Sequence, residues 1–400
     1  MDDAPPPPEH WDPRAPAVLR DQVRAYDGMR RRCPVAHSDY LHWSVFRHGD
    51  VTTVLQDPQT FSSAVSPHLS IPNGIDAPAH AAWRALIDPY FAPERLAAFA
   101  PVARGVVREL VAQLPAQGEI EWMEGFAQDC AVRLLCAFMG WGAELHEPLR
   151  LWVRKNQAAT LAGDRTALAA IAFEFDAHIR AQLEARRAAP EPGEDITSRL
   201  LRETFDGRPL QDEEIVSILR NWTVGELATL AACIGILAYY LANHRVLQRE
   251  LRGNSALLPA AIDEILRIHP PLISNRRILH APATLGIREL EAGERLTIMW
   301  ASANRDEAVF GNPDEFRLDR DPSLNLLYGA GVHACPGAGL SRLQLGIVVE
   351  ELLAGTRQLA PVPRQAPVKA RYPAGGFSAV HLRVEREVPA VAQAAAVAAA

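Results

Sequence analysis

The sequence of 400 residues has no excess of basic side chains. Its 41 Lys and Arg residues are outnumbered by 48 Asp and Glu residues, which gives a formal net charge of −7. A nucleic-acid partner would require a basic patch or stripe, and no stretch of this chain has one. We therefore expect no nucleic-acid partner.

The cysteines are few and none form a CxxC pair. The five are Cys33, Cys130, Cys136, Cys233 and Cys335, and four of them lie in ordinary surroundings. Zinc sites and disulfide frameworks show closely and regularly spaced cysteines. We expect reduced thiols and no zinc site.

No apolar run is long enough to mark a membrane span. The longest covers residues 227–242, which is shorter than the roughly 18 residues that a spanning helix needs. It predicts a buried core helix. The first residues lack the basic and apolar segments of a secretory signal, so we expect a protein that remains in the cytoplasm and does not engage a membrane.

The chain does contain enough apolar side chains, 48% of the total, to bury a large core. Residues 1–30 are rich in proline and charge and predict a partly disordered arm that ends in a short helix. Residues 31–387 are expected to form one folded domain. Residues 388–400 are almost all Ala and Val and read as a tail.

A glycine-rich loop with a single cysteine stands out at residues 328–337, with the sequence Tyr-Gly-Ala-Gly-Val-His-Ala-Cys-Pro-Gly. Glycine lets a backbone approach a flat ligand or a sulfur closely. The loop precedes an apolar helical run, whose first N–H groups would lower the pKa of the Cys335 thiol and favour a metal-binding thiolate. A buried structural cysteine beside a turn is the alternative.

The loop matches the pattern aromatic-Gly-x-Gly-x-His-x-Cys-x-Gly. The matching residues are Tyr328, Gly329, Gly331, His333, Cys335 and Gly337. In this the sequence resembles the cytochrome P450 family of haem-thiolate monooxygenases, although phenylalanine is usual at Tyr328. The resemblance implies a mainly α fold with small β sheets, in which haem b, with Cys335 as its axial ligand, lies between a long central helix and the cysteine loop.

The resemblance also implies cationic partners for the haem propionates. His80 and Arg84 lie four residues apart on one helix face, and that spacing alone fits an ordinary solvated face equally well. Their positions match the family's propionate ligands. Arg277 matches another, and the adjacent Arg276 could take its role.

The long helix predicted at residues 215–242 carries a departure from the family. Thr229 aligns with the family's oxygen-side threonine, but Ala228 stands where an acid is usual. Glu226 replaces a glycine and can share a helix face with Thr229. We expect Glu226 to supply protons to Thr229. The alternative is that Glu226 pairs with an arginine or faces water.

A second resemblance lies at Glu264 and Arg267, a spacing that is weak evidence alone because surface ion pairs of this kind are common. In the family this pair is buried and completed by an arginine that maps to Arg320. Arginine suits the task because its planar fork can satisfy several acceptors.

The expected reaction inserts one oxygen atom of O₂ into a small hydrophobic or aromatic organic molecule, by hydroxylation or dealkylation. The sequence shows no dinucleotide fingerprint and no cysteine cluster, so electrons should come from NAD(P)H through a separate ferredoxin and ferredoxin reductase. The alternative is that the sequence is the haem domain of a protein fused to such redox domains, as in some relatives of the family. We expect a monomer. Because Ala228 stands at the usual acid position, a peroxide-driven oxygenase is an alternative reaction. A haem sensor without catalytic activity is an alternative function.

The substrate pocket should draw on four parts of the chain: the 64–75 loop, the long helix, the strand after the two prolines and a turn near the C-terminus. Its predicted lining residues are His68, Leu69, Ile71, Gly225, Ile273, Ser274 and Phe377. Since these are mostly apolar or small, they favour an uncharged substrate.

Overall fold

The computed structural model describes residues 10–387, and most of them are helical. The α-helices are α1 (Pro16–Arg20), α2 (Gln22–Arg32), α3 (His48–Gln56), α4 (Ala79–Ile87), α5 (Pro93–Gln113), α6 (Gln128–Met139), α7 (His146–Ala162), α8 (Arg165–Arg187), α9 (Ile196–Leu200), α10 (Asp212–Asn243), α11 (Arg245–Gly253), α12 (Leu258–Ile268), α13 (Trp300–Ala303), α14 (Glu307–Phe310) and α15 (Ala338–Gly355).

The strands are short. They are β1 (Val35–Ser38), β2 (His42–Val45), β3 (Phe61–Ser62), β4 (Gln117–Glu121), β5 (Thr204–Phe205), β6 (Arg208–Pro209), β7 (Asn275–Leu279), β8 (Ala283–Leu285), β9 (Arg288–Leu290), β10 (Arg295–Ile298), β11 (Thr356–Pro361), β12 (Val368–Lys369), β13 (Phe377–Ala379) and β14 (His381–Arg386). Helices with small sheets confirm the predicted fold class.

The largest sheet has five strands in the order β1-β2-β10-β7-β3. Its pairs are antiparallel except β2 with β10, which run parallel. A three-stranded sheet in the order β11-β14-β4 and three two-stranded ribbons complete the β structure. The five-stranded sheet matters for the site because β7 carries Arg276 and Arg277 along one wall of the cavity.

Helix α10 is the longest in the described part of the chain, and its start is well capped. Gln211 and Glu214 form a reciprocal capping box, and three acidic residues occupy the first turn, where the helix dipole favours negative charge. By length and composition this helix could cross a membrane, but most of its apolar stretch is buried inside the protein. It is the core helix that the sequence predicts.

The main hydrophobic core forms where α10 packs against α6, α12 and α15, and α5 joins it through its contacts with α6 and α15. A second cluster joins α4, α6, α7 and α8 to the first half of α10. Helix α10 therefore belongs to both clusters, and the cavity described below opens along its side.

Residues 10–30 are ordered, contrary to the predicted partly disordered arm, although the helix expected at its end is present as α2. Trp11, Tyr26 and Met29 are buried and pack with Phe46 in a small core of their own. Arg30 is 2% exposed and donates to Glu307 of α14. Large aromatic side chains and the ion pairs of the buried Arg30 hold this segment against the domain, despite its prolines and charges. Residues 1–9 and the predicted tail 388–400 lie outside the described residues.

Candidate active site

One internal cavity of about 470 Å³ connects the cysteine loop with the long helix. Cys335 and Gly337 line one side, and Gly225, Glu226 and Thr229 of α10 line another. The loop after β3 and the start of β7 close the remaining sides. Residues that are more than one hundred positions apart in sequence therefore face a shared space.

The cysteine loop needs its glycines for two separate reasons. Gly329 and Gly331 have φ values of +72° and +69°, which other residues rarely adopt. A Cβ atom on Gly331 would also lie 2.3 Å from the Leu55 carbonyl oxygen. The turn is closed by the Cys335 N–H, which donates to the Tyr328 carbonyl at 2.8 Å. The side chain of Cys335 is accessible from the cavity.

The pKa of the Cys335 thiol is raised, contrary to the expectation from the helix start. Burial is the largest cause, and it outweighs the Gly337 N–H, which donates to the sulfur, and the charges of Arg84 and Arg342. These three groups still act in the direction that stabilises a thiolate. Coordination to a metal deprotonates a thiol outright, so the raised pKa is compatible with a role as ligand.

Two histidines meet beside the cysteine loop. The rings of His80 and His333 lie 4.2 Å apart between centroids. The Nε2 atom of each is buried and has no hydrogen-bond partner within residues 10–387. The pKa of His80 is lowered by burial and by the Arg84 charge, and the pKa of His333 falls to about 4, chiefly through burial and the neighbouring His80. Unpartnered buried nitrogens are costly, which indicates that these two serve a ligand.

Two arginines flank this histidine pair. Arg277 is 5% exposed, its pKa is lowered to about 10 by burial, and its Nη1 donates only to the Arg276 carbonyl at 2.7 Å. Arg84 donates to Asp88 and to the carbonyls of Val332 and Ala334. Arg84 thereby ties α4 to the cysteine loop, whereas Arg277 is a buried cation for which the described residues provide no carboxylate.

These residues fit haem b. The iron of such a group accepts a cysteine thiolate, and its propionates need N–H donors or cations, which the orphaned His80 and His333 nitrogens and the Arg277 guanidinium provide. Tyr328 and Gly329 also line the cavity. The structure thus brings together every residue that the sequence predicted for the cofactor.

On the long helix, Glu226 makes a contact that the sequence did not predict. Its Oε1 accepts a hydrogen bond of 2.6 Å from Nε2 of Gln344, on the helix that follows Cys335. Burial raises the pKa of Glu226 to about 7, and the Gln344 donor acts in the opposite direction. Thr229 lines the same cavity three residues later. No arginine pairs with Glu226 in the described residues, which disfavours the ion-pair alternative.

Behind the cavity, Glu264 and Arg267 form the buried pair that the sequence predicts. Arg267 Nε donates to Glu264 Oε2 at 2.7 Å, and Arg320 Nε donates to Glu264 Oε1 at 2.8 Å. Arg267 is 1% exposed and also donates to the carbonyls of Asn304 and Pro313. One acid and two guanidinium forks therefore join α12 to the segment that leads into the cysteine loop.

The predicted substrate residues are only partly brought together. His68 and Gly225 line the cavity. The other five lie elsewhere: Leu69 is exposed, Ile71 and Ile273 are buried in separate core clusters, Ser274 bonds to the Tyr372 hydroxyl, and Phe377 packs against Tyr239. Ile71, Ile273 and Phe377 therefore point into apolar contacts, and the five residues do not form the wall that we expected.

The sequence also did not indicate what holds the 64–75 loop, which is the loop over the cavity. Ser217 Oγ accepts from the Ile71 N–H at 2.9 Å and donates to the Leu69 carbonyl at 3.0 Å. Asn221 Nδ2 donates to the Ile71 carbonyl and Arg220 donates to the Leu69 carbonyl. The polar residues of α10 at these positions could have indicated a contact, but they did not show which segment they bind.

A thiol in a glycine loop, a set of orphaned propionate donors and a hydroxyl-bearing helix across the cavity define a haem-thiolate protein. Comparison with known proteins agrees. A sequence model of the Cytochrome P450 family matches residues 167–355. The chain is 30% identical over 343 residues to putative cytochrome P450 126 of Mycobacterium tuberculosis, with 78% of this chain and 80% of that one covered.

A second relative is named for its reaction, and a solved structure shares the fold. Cyclomarin C epoxidase CymV of Salinispora arenicola is 29% identical, with 84% of this chain and 90% of that one covered. Among solved structures, the open form of cytochrome P450 EryK from S. erythraea has a TM-score of 0.85 at 26% identity, with 93% of this chain and 98% of that one covered. The chain belongs to the cytochrome P450 family and is an oxidoreductase of its monooxygenase class. The family binds haem iron through a cysteine thiolate.

Proposed function

We propose that this protein inserts one atom of O₂ into a small organic molecule bound in the cavity between Cys335 and α10. The observation that carries the proposal is that the Cys335 thiol and the Glu226 and Thr229 side chains line one cavity. This arrangement supports the proposal, because oxygen activation requires a metal ligand and a proton source around a single space.

The iron of the haem would be held by the Cys335 thiolate, and its propionates by His80, Arg277 and His333, with Arg84 fixing the cysteine loop in place. When bound, the thiolate-ligated haem supplies O₂ activation and O–O cleavage. The chain's own contribution is to keep the sulfur in a tight turn and to present donors that would otherwise remain unpaired.

Glu226 would deliver the protons that oxygen reduction consumes. With its pKa near 7, the carboxyl group is partly protonated at neutral pH, which suits a general acid. Gln344 holds Oε1 and so leaves the other carboxyl oxygen for proton transfer. Thr229 lies one helical turn away, and its hydroxyl can receive a proton through one water molecule and hand it to the cavity.

Electrons would come from NAD(P)H through a separate ferredoxin and ferredoxin reductase. The cysteines other than Cys335 are buried and spread through the fold, and no group of three or more metal-binding side chains occurs in residues 10–387. Support for this part of the proposal comes from the absence of a second cofactor motif in the sequence.

The proton route is tested by the ratio of product formed to NAD(P)H consumed. We expect Glu226→Gln and Thr229→Ala each to lower this ratio by about tenfold or more, because each removes a step in proton delivery. Glu213→Gln, on the same helix but exposed, is the control and should behave as wild type. A Glu226→Gln variant with normal coupling, beside an impaired Thr229→Ala variant, would rule out Glu226 as the proton source.

The peroxide-driven alternative is tested on the wild-type holoenzyme. If hydrogen peroxide supports faster product formation than reduced ferredoxin in the wild-type holoenzyme, the peroxygenase reading replaces the O₂ reaction. We expect the opposite order, because Glu226 gives this chain an acid on the helix that carries Thr229.

A further inference from the structure

The cavity wall formed by the loop after β3, the start of β7 and the neighbouring Asn221 is more polar than the sequence predicted. The polar residues that line it there are Ser63, Ser66, His68, Ser70, Asn73, Asn221, Asn275 and Arg276. The loop and strand contribute few apolar side chains, namely Val65, Pro72 and Leu272. This wall therefore offers hydrogen-bond donors to a ligand, in contrast to the uncharged, apolar surface that we expected.

Arg276 differs from its neighbour Arg277 in position and surroundings. Successive side chains of a strand point to opposite faces, and Arg277 is buried beside His333, whereas Arg276 is exposed at the cavity wall. On the Arg276 face, Ser274 bonds to the Tyr372 hydroxyl at 2.9 Å. The pKa of Tyr372 is raised by burial and lowered in part by the bonded Ser274 and the nearby Arg276 charge. Arg277, the propionate donor of this strand, thus occupies the other face.

Arg276 has no carboxylate partner in residues 10–387. It shares this with Arg277, which the propionates would neutralise, whereas Arg84 pairs with Asp88 and both Arg267 and Arg320 pair with Glu264. Glu226 is the acidic side chain among the residues that line the cavity, and it lies on α10. A protein with a net charge of −7 therefore keeps an uncompensated cation at the wall of its cavity.

We propose that Arg276 binds the carboxylate of an organic acid whose apolar body extends toward Thr229 and Cys335. The guanidinium fork matches a carboxylate in two parallel hydrogen bonds. The neighbouring Asn275 and His68 can donate further hydrogen bonds, and no acid on this wall repels the ligand. This assignment rests on the proposed oxygenase function and names the class of its substrate.

The test uses the reconstituted holoenzyme and the change in haem absorption that accompanies ligand binding. The probes are cinnamic, cyclohexanecarboxylic and dodecanoic acids, each measured beside its methyl ester. We expect at least one acid to bind roughly ten- to a hundredfold more tightly than its ester, the ratio that charged hydrogen bonds of roughly 1.5–3 kcal/mol produce. Arg276→Gln should abolish that preference by weakening the acid and leaving the ester unchanged, and Arg276→Lys should restore part of it.

Arg371→Gln is the matched control, because it removes the same charge from an exposed arginine beside Tyr372 that does not line the cavity. It should keep the preference for acids. Equal binding of every acid and its ester in the wild type, or a preference that survives Arg276→Gln, would overturn the assignment. Neither result affects the proposed oxygenase function, which NAD(P)H-dependent product formation from any bound compound tests separately.

Discussion

Glu226 is the side chain whose chemistry depends most on its surroundings. In an unfolded chain its pKa would be near 4.5, and burial in the fold raises that value to about 7. Gln344 provides the one hydrogen bond that the described structure gives its carboxyl group. The carboxyl group is therefore kept partly protonated by burial, and a proton held at neutral pH is what the proposed delivery to Thr229 needs.

This shift predicts a pH dependence of stability. Between about pH 5 and about pH 7 the unfolded chain loses the Glu226 proton while the folded protein retains it, so the free energy of unfolding should fall as the pH rises through this range. The full effect of this group is at most about 3 kcal/mol. Denaturant titrations of the holoprotein at about pH 5 and about pH 8 measure it.

Glu226→Gln should remove that fall and stabilise the protein at the higher pH relative to wild type. Glu213→Gln serves as the control, since its carboxylate is exposed. An identical pH dependence in wild type and Glu226→Gln would show that the carboxyl group is not buried as described.

At the scale of elements, the contact between α12 and the segment before the cysteine loop depends on buried charge. Glu264 is 5% exposed and accepts from both Arg267 and Arg320. Removing either partner of a buried pair leaves a stranded charge, at a cost of roughly 3–5 kcal/mol. We expect Glu264→Ala and Arg267→Ala to accumulate without haem, measured as the ratio of haem to protein.

Asp263→Ala is the matched control for this pair. Asp263 precedes Glu264 on α12 but pairs with the half-exposed Arg342, so its loss should leave the haem content near that of wild type. Normal haem content in Glu264→Ala would refute the structural role of the pair.

The loop over the cavity and α10 form a second contact that a single residue can test. Ser217 is fully buried and satisfies both the Ile71 N–H and the Leu69 carbonyl. Ser217→Ala should cost about 1–3 kcal/mol, because it leaves a buried N–H without a partner. It should also speed hydrogen exchange at Ile71.

Thr223→Val is the control on the same helix. The Thr223 hydroxyl donates only within α10, to the Leu219 carbonyl, so this change should not alter exchange in the loop. Unchanged exchange at Ile71 in Ser217→Ala would mean that the neighbouring Asn221 and Arg220 contacts suffice to hold the loop.

For the whole molecule, the sequence predicted the features that depend on residues close together in the chain. The cysteine loop and the long apolar helix were recognisable from local residues, and the Glu264 and Arg267 pair from the family resemblance, and the structure contains all three. What the sequence could not show are contacts between distant segments. Gln344 reaches Glu226 across 118 positions, and nothing near either residue indicates the other.

The errors have the same origin. Residues 10–30 look polar and proline-rich, yet Trp11 and Tyr26 find apolar partners around Phe46. The predicted pocket included Phe377 and Ile273, but both side chains pack in apolar clusters instead. The cavity wall there is polar and includes Arg276. Side-chain direction depends on packing from remote elements, which residue types alone do not specify.

The central proposal for this protein is that one atom of O₂ enters the substrate in the cavity beside Cys335. The most direct test is mass spectrometry of the product formed by the holoenzyme under isotopically labelled O₂ in unlabelled water, with NAD(P)H, ferredoxin and ferredoxin reductase, from a compound that shifts the haem absorption. We predict a product that carries a single labelled oxygen atom. A product whose oxygen comes from water, or consumption of O₂ without oxygenated product, would contradict the account.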